Sequence, residues 1–413
     1  MNRRPTVSII RCDARAKDEV VAEKLEEAAS QIPDLGRVFA GKRKVFLKPN
    51  LGTAEVRWHE GRQVALTDKS VVRATVALIR KYFAGEIVLS DDTTVDATVA
   101  EVYRQVGYDA ALAPYDVRLV DLHRPPYVEL KVPGTPLMFT KYRYSAELAD
   151  ADAVVSISTM KSHLSTGATL TLKNLFGLTP IQVYGAPRRY LHAPIRLPRA
   201  LADGGQILRP ILNVIDGLIG QDDREWGGPP VKTDVLLIGD NTIATDATAM
   251  RLMGMDPTLD YPRFPYHFDR NPLLLASQVG LGPVKADEID VRGQAPTEPI
   301  FRFHVGREES ESVDLVRRSV AQQALVYLEK RSQLLSKYRE KIIALADGQV
   351  LAAVDTVDEV PHRAELAGAL RGSPTAGIFL KQVLPPEEET ERMEVYQQVL
   401  DGTEFEAALN PPE

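Results

Sequence analysis

Through its first half the chain alternates short apolar runs with stretches of helical periodicity, and no other feature narrows the fold as much. Val7–Ile10 and Val45–Leu47 read as strands; Glu19–Ala29 between them reads as a helix, with Val20, Val21, Leu25 and Ala28 at helical spacing. A second helix is expected over Val71–Tyr82, capped by Thr67 or Asp68. Next come a strand at Ile87–Leu89, a helix over Val99–Val106 stopped by Gly107, and a strand at Val117–Val120. Tyr127–Thr140 reads as a hairpin around Pro133-Gly134. Ala153–Ser158 is largely apolar, as strands buried on both faces of a parallel sheet are. Thr242–Met253 and Asn271–Val279 add helices. Repeated strand–helix–strand units predict an α/β fold, a mostly parallel sheet flanked by helices.

The 413 residues exceed what one ordinary core holds, so more than one domain is expected. Residues 1–292 read as the α/β domain, 293–311 as a linker and 312–413 as a long helix with a small α/β module. The helix is Ser312–Ile343. Ile342–Leu345, the turn Asp347-Gly348 and Val350–Val354 form a hairpin, so the two readings overlap at Ile342-Ile343. A short helix near Asp358–Leu370 and a strand Gly377–Val383 follow, and Pro385–Arg392 reads as an acidic, exposed segment. No apolar run approaches the ~20 residues of a membrane span. Met1–Pro5 leads into a strand with no apolar leader segment behind it. Lys plus Arg number 50 against 57 acids, a net charge of −7, which argues against a general nucleic-acid surface. The single cysteine, Cys12, cannot by itself build a disulfide, a Cys-rich zinc site or a Cys-ligated iron–sulfur cluster. A cytoplasmic protein with no membrane or nucleic-acid partner and no iron–sulfur cluster is expected.

In sheets of this kind ligands sit beyond the carboxyl ends of the strands. Five apolar runs end in polar residues: Lys48-Pro49-Asn50, Ser90-Asp91-Asp92, Ser158 to His163, Asp216-Gly217 and Gly239-Asp240. Lys48, Lys161 and Lys173 would present cations to a carboxylate or phosphate there, and burial lowers a lysine pKa toward the range useful for proton transfer. His163 is the expected proton-transfer group. Backbone amides of the small polar run Ser165–Thr169 suit an anion, Thr169 among them. From Leu178 to Pro210 five prolines and five arginines stand against one acid, Asp203, which reads as an ordered arm or lid. It carries Arg189 and His192, beside Arg188 and Tyr190, as groups to close over an anion. Asp91, Asp92 and Asp216 are the expected ligands of Mg²⁺ or Ca²⁺, with Asp222, Asp223, Glu225, Asp240 and Asp246 as further acids. Aspartate is equally a turn and N-cap residue. Gly-x-Gly-x-x-Gly, the P-loop, His-Glu-x-x-His and Gly-x-Ser-x-Gly are all absent.

Lys48-Pro49-Asn50-Leu51, Ser90-Asp91-Asp92, Lys161-Ser162-His163 and Thr169 to Gly177 occur in that order, followed by Asp216-Gly217, Gly228-Pro229, Asp246-Ala247 and Met253-Gly254. Over roughly residues 5–285 this resembles the domain of unknown function 362 family. The resemblance implies a shared α/β domain and names no activity. Many members carry a ferredoxin-like segment with clustered cysteines, from which this chain departs. Leu334–Tyr338 with Ile342–Val350 resembles domain of unknown function 5678, which implies a small accessory α/β unit. The expectation is an enzyme acting on a small anionic molecule by lysine and histidine acid–base chemistry, with Asn50 and Asn174 orienting it and a metal as an aid. Two alternatives stand beside it. One is a non-catalytic ligand-binding or assembly protein, with the arm as subunit contact of a homo-oligomer. The other is an oxidoreductase using a separate iron–sulfur partner.

Overall fold

Strands β1 (Thr6–Arg11), β2 (Lys44–Pro49), β3 (Glu86–Leu89), β4 (Val117–Leu119), β5 (Ala153–His163), β6 (Gly167–Thr169), β7 (Leu212–Gln221), β8 (Pro230–Gly239) and β9 (Asp290–Gly293) form one sheet in the computed structural model. The structure describes residues 3–53, 56–92, 97–306, 310–363, 365–366, 368, 370 and 377–405. The strand order is β9-β1-β8-β7-β5-β2-β3-β4, with β6 folded back onto β5. All neighbours are parallel except those of β8 and the β5–β6 pair. Alternate residues enter two separate cores. Phe46, Val88, Val154 and Ile215 face one; Val45, Leu47, Ile87, Val155, Ile157 and Val214 face the other. A sheet covered on both faces follows from this pattern.

Helices Asp18–Ala29, Lys69–Arg80 and Val99–Gln105 form where the periodicity predicts them. Asp68 accepts from the Ser70 amide, and Thr98 with Glu101 makes a capping box. The hairpin Tyr127–Lys131 with Lys141–Ser145 is antiparallel, its second strand beginning just after Thr140. Among the described residues no helix is long and apolar enough to cross a membrane.

Three expectations change. Ser310–Tyr338 is a helix, but Glu340 takes a left-handed φ of 66° and breaks it, so Ile342-Ile343 belong to the strand Ile342–Ala346. That strand pairs with Gln349–Val354 and Phe379–Gln382. The proline–arginine segment is ordered, as expected, but is not an arm throughout. Its second half is a buried helix, Arg196–Leu208, with Pro198 in the first turn, where the missing amide costs nothing. Nor is the acidic stretch before Arg392 uniformly exposed: Glu391 is fully buried against Arg196 and Lys381. The helix expected near Asp358–Leu370 shows a 3-10 turn at Val357–Glu359, and its remainder falls partly outside the described residues.

Candidate functional site

Strand β2 delivers Lys48, the turn after β3 delivers Asp91 and Asp92, and β5 delivers Lys161 and His163. The short helix Thr171–Asn174 supplies Lys173 and Asn174. All four elements meet at one edge of the sheet. Lys48 is 1% exposed; its Nζ lies 2.9 Å from Asp91 Oδ2 and donates to Asn174 Oδ1 at 2.9 Å and to the Pro49 carbonyl at 2.8 Å. Asn174 Nδ2 donates in turn to the Lys48 carbonyl and to Ser156 Oγ. Gly177 closes over this pair. A Cβ there would lie 2.3 Å from Asp91 Oδ1 and 2.9 Å from Lys48 Cε, so the position admits no side chain.

Lys161 is fully buried. Its Nζ donates to the Ala65 carbonyl at 2.8 Å and lies 4.1 Å from the centre of the Trp226 ring. Lys173 Nζ lies 4.9 Å over Phe176, whose ring meets His192 edge-on at 4.7 Å. Among the described residues neither Lys161 nor Lys173 has a carboxylate within ion-pair distance, whereas Lys48 and Arg188 do. His163 Nδ1 accepts from the amides of Ser165 and Thr166, which leaves its proton on Nε2, paired with Glu225. Arg188 donates to the carbonyls of Thr179, Asp92 and Gly177 and lies 3.5 Å from Asp92 Oδ2.

Burial is the main cause of the shifted pKa values. It lowers Lys161 to about 7, with Lys173 and Lys48 pushing the same way and Glu225 opposing. It lowers Lys48 to about 8 against the attraction of Asp91. Lys173 and His163 are also held below their ordinary values by burial, and His192 falls to about 3 through burial and then Lys173. Glu225 runs the other way: burial would raise it, but His163, Lys173 and His192 outweigh this and hold it low. The three lysines therefore sense one another in one cluster. A depressed lysine pKa makes stability rise with pH between its folded and unfolded values. Lys161 should thus stabilise the fold progressively from about pH 7 to its ordinary 10.5. Lys161→Met is expected to lose that rise, measured as denaturant midpoints across the window; parallel wild-type and variant curves would refute a buried, shifted lysine.

A family model described as a domain of unknown function (DUF362) matches residues 45–251, half of the chain. The chain belongs to the DUF362 family. The matched residues include every member of the cluster, from Lys48 to Trp226. A thylakoid-associated protein of Synechocystis sp. is 27% identical over 288 residues, covering 64% of this chain and 84% of that protein. Among solved structures, the lactate racemase apoprotein of Thermoanaerobacterium thermosaccharolyticum is similar at 13% identity and a TM-score of 0.31 over 52% of this chain and 51% of that one. A Thermotoga maritima structural-genomics protein gives 12% and 0.29 over 54% and 55%. The DUF362 chain thus spans about half the length of each solved structure.

Of the residues expected from sequence, Lys48, Lys161, Lys173, His163, Asn174 and His192 come together in one cluster of this DUF362 chain. Asn50 and Thr169 lie beside it, Asn50 two residues after Lys48 and Thr169 in register with Lys161, and among the described residues Asn50 Oδ1, Thr169 Oγ1 and His192 Nδ1 are buried without a hydrogen-bond partner. Arg189 is not brought in. Its guanidinium turns to the carbonyls of Val360 and Pro361, while its neighbour Arg188 faces the cluster. The three aspartates do not converge either. Asp91 accepts from the Leu51 and Asp92 amides as well as Lys48, and Asp92 accepts from the Ile181 amide and pairs with Arg188 and His123. Asp216 sits inside β7, not at its end, and accepts from the amides of Asp68 and Leu218. Among the described residues no group of three His, Cys, Asp or Glu side chains is placed to hold a metal ion. Trp226 escaped the sequence reading altogether; Glu225 was visible there only as one of several loop acids. The loop leading into the Gly227-Gly228-Pro229-Pro230 turn was the one signal for both.

Proposed function

We propose that this cluster is the binding site of a small carboxylate or phosphate and that Lys161 exchanges a proton with it. The observation that carries the reading is the pair of ammonium groups, Lys161 and Lys173, held at one sheet edge with aromatic faces and a single carbonyl in place of carboxylate partners. A buried cation with no carboxylate in contact is costly, since Glu225 acts on Lys161 and Lys173 only from beyond ion-pair distance, and an anionic ligand relieves that cost. Lys161, near neutrality, is suited to take up or release a proton at physiological pH. His163 serves Lys161 indirectly, since both its ring nitrogens are engaged and it orients Glu225. Asn50, Thr169 and His192 offer unpartnered polar atoms to the neutral part of the same ligand. Asp91 and Asp92, with their protein donors, hold Lys48 and Arg188; Mg²⁺ or Ca²⁺ bound there would have to compete with those donors. The C-terminal strands fit the accessory role that the resemblance to domain of unknown function 5678 implies.

The test is thermal stability of wild type and Lys161→Ala with His163→Ala in the presence of inorganic phosphate, acetate, malonate or succinate. Wild type is expected to be stabilised by at least one of these anions, and the variant to stay folded without the response. An equal response in both would remove the ligand from this site. The reading as a non-catalytic binding protein shares this outcome and separates from it by proton uptake: an acid–base site changes its protonation on binding, visible as buffer-dependent calorimetric heats.

A further inference from the structure

Two consecutive arginines point to opposite sides of the same loop. Arg188 has a left-handed φ of 69°, a strained conformation that persists only where its surroundings enforce it. Its guanidinium faces inward, donating to the carbonyls of Asp92 at 2.6 Å, Thr179 at 2.8 Å and Gly177 at 2.9 Å. The Arg189 guanidinium faces outward and grips the C-terminal unit at the carbonyls of Val360 and Pro361, the latter at 2.7 Å. Asp358 Oδ1 accepts from the Ala186 amide at 2.7 Å. Gly185, with φ 73°, lies so close to the unit that a Cβ would meet Val357 Cγ1 at 2.5 Å. Val357 and Val360 are buried, and Thr356 with Glu359 closes a capping box around that turn, so the gripped turn is itself anchored in the C-terminal unit. Four residues beyond Arg188 the same loop places His192 against Phe176, facing Lys173, Glu225, His163 and Arg188.

We propose that Arg189 and Asp358 are positioning residues: through them the C-terminal unit holds the 185–192 loop, and so seats Arg188 and His192 in the anion site. The proposal rests on the reading of the cluster as a ligand site, and it gives the C-terminal unit a task. Neither residue touches the ligand. Both set the fraction of molecules in which the loop is seated, and apparent affinity falls in proportion to that fraction.

The experiment uses full-length protein labelled at histidine, with the His192 signal identified by its loss in His192→Gln. In wild type, burial and then Lys173 push His192 down to about 3, so its ring is expected to stay neutral through the mildly acidic range. In Arg189→Ala and in Asp358→Ala, with circular dichroism unchanged, its titration is expected to move toward the ordinary histidine range by about one unit or more, because a loosened loop hydrates the ring. Asp358→Asn, which keeps an oxygen for the Ala186 amide, should restore the wild-type titration. Calorimetry with inorganic phosphate should show affinity lowered about tenfold in the two alanine variants, as for a loop seated a tenth of the time. Unchanged His192 titration in both alanine variants, with only a lower melting temperature, would overturn the proposal and leave the two residues as packing contacts. Absence of phosphate binding in wild type would count against the ligand reading instead, while the titration still decides the positioning.

Discussion

Asp91→Ala is expected to destabilise the protein by about 3–5 kcal/mol, because it strands a charge in the interior. Lys48 is 1% exposed and Asp91 2%, and their side chains meet at 2.9 Å. Without the carboxylate the ammonium keeps only the Pro49 carbonyl and Asn174 Oδ1, and the Leu51 and Asp92 amides lose their acceptor too. The loss should grow as pH falls below about 8, where Lys48 must carry its charge in the folded state. The double variant Lys48→Met with Asp91→Leu should recover much of it, since two apolar groups remove both desolvation penalties. Gly177→Ala, by pushing a methyl into the same pair, should resemble Asp91→Ala. Denaturant unfolding measures all three. A cost below about 1 kcal/mol for Asp91→Ala would mean that the pair is solvated and surface-like.

Glu391→Ala should be at least as damaging, at the upper end of the same range of about 5 kcal/mol. Its carboxylate is fully buried and receives Arg196 Nε at 2.6 Å, Arg196 Nη2 at 3.0 Å, Lys381 Nζ at 2.8 Å and the Tyr396 hydroxyl at 2.5 Å. Arg196 also donates to the Leu380 carbonyl, so this carboxylate joins the helix Arg196–Leu208 to the strand Phe379–Gln382 and the helix Glu394–Asp401. A second set, Arg199 and Arg317 on Glu404 with Arg317 on Asp269, makes the same connection further along. Removing Glu391 leaves two buried cations facing each other. The expected result is a lower denaturant midpoint together with proteolytic cleavage between residues 377 and 405 under native conditions. Retained midpoint and intact C-terminal segment would show that Arg199 and Arg317 suffice alone.

Much of the sheet was legible before folding, for a simple reason. Val45–Leu47, Ile87–Leu89 and Ala153–Ser158 are continuous apolar runs, and such runs are stable only with both faces covered. The runs understated the strands. Asp216 and Lys161 look like strand ends in sequence, yet β7 continues to Gln221 and β5 to His163. That extension places Lys161 in the cluster and withholds Asp216 from it, because the position along a strand decides which neighbours a side chain meets. Composition misled most in the proline–arginine segment. Arginines normally mark solvent, but Arg188, Arg196 and Arg199 are buried because carboxylates and carbonyls from distant segments meet them.

By itself the amino-acid order determined the class of fold and the sheet edge at which three lysines gather, since periodicity and strand-end chemistry are local properties. Which acid partners which base was decided only by tertiary structure. Glu225 with His163, Trp226 with Lys161 and Glu391 with Arg196 join residues dozens to nearly two hundred positions apart. Which of Arg188 and Arg189 faces the cluster was likewise settled by the fold, the first meeting the Asp92, Thr179 and Gly177 carbonyls and the second those of Val360 and Pro361. Charge pairing depends on distances of a few ångström and on the exclusion of water, and neither exists until the chain has closed on itself.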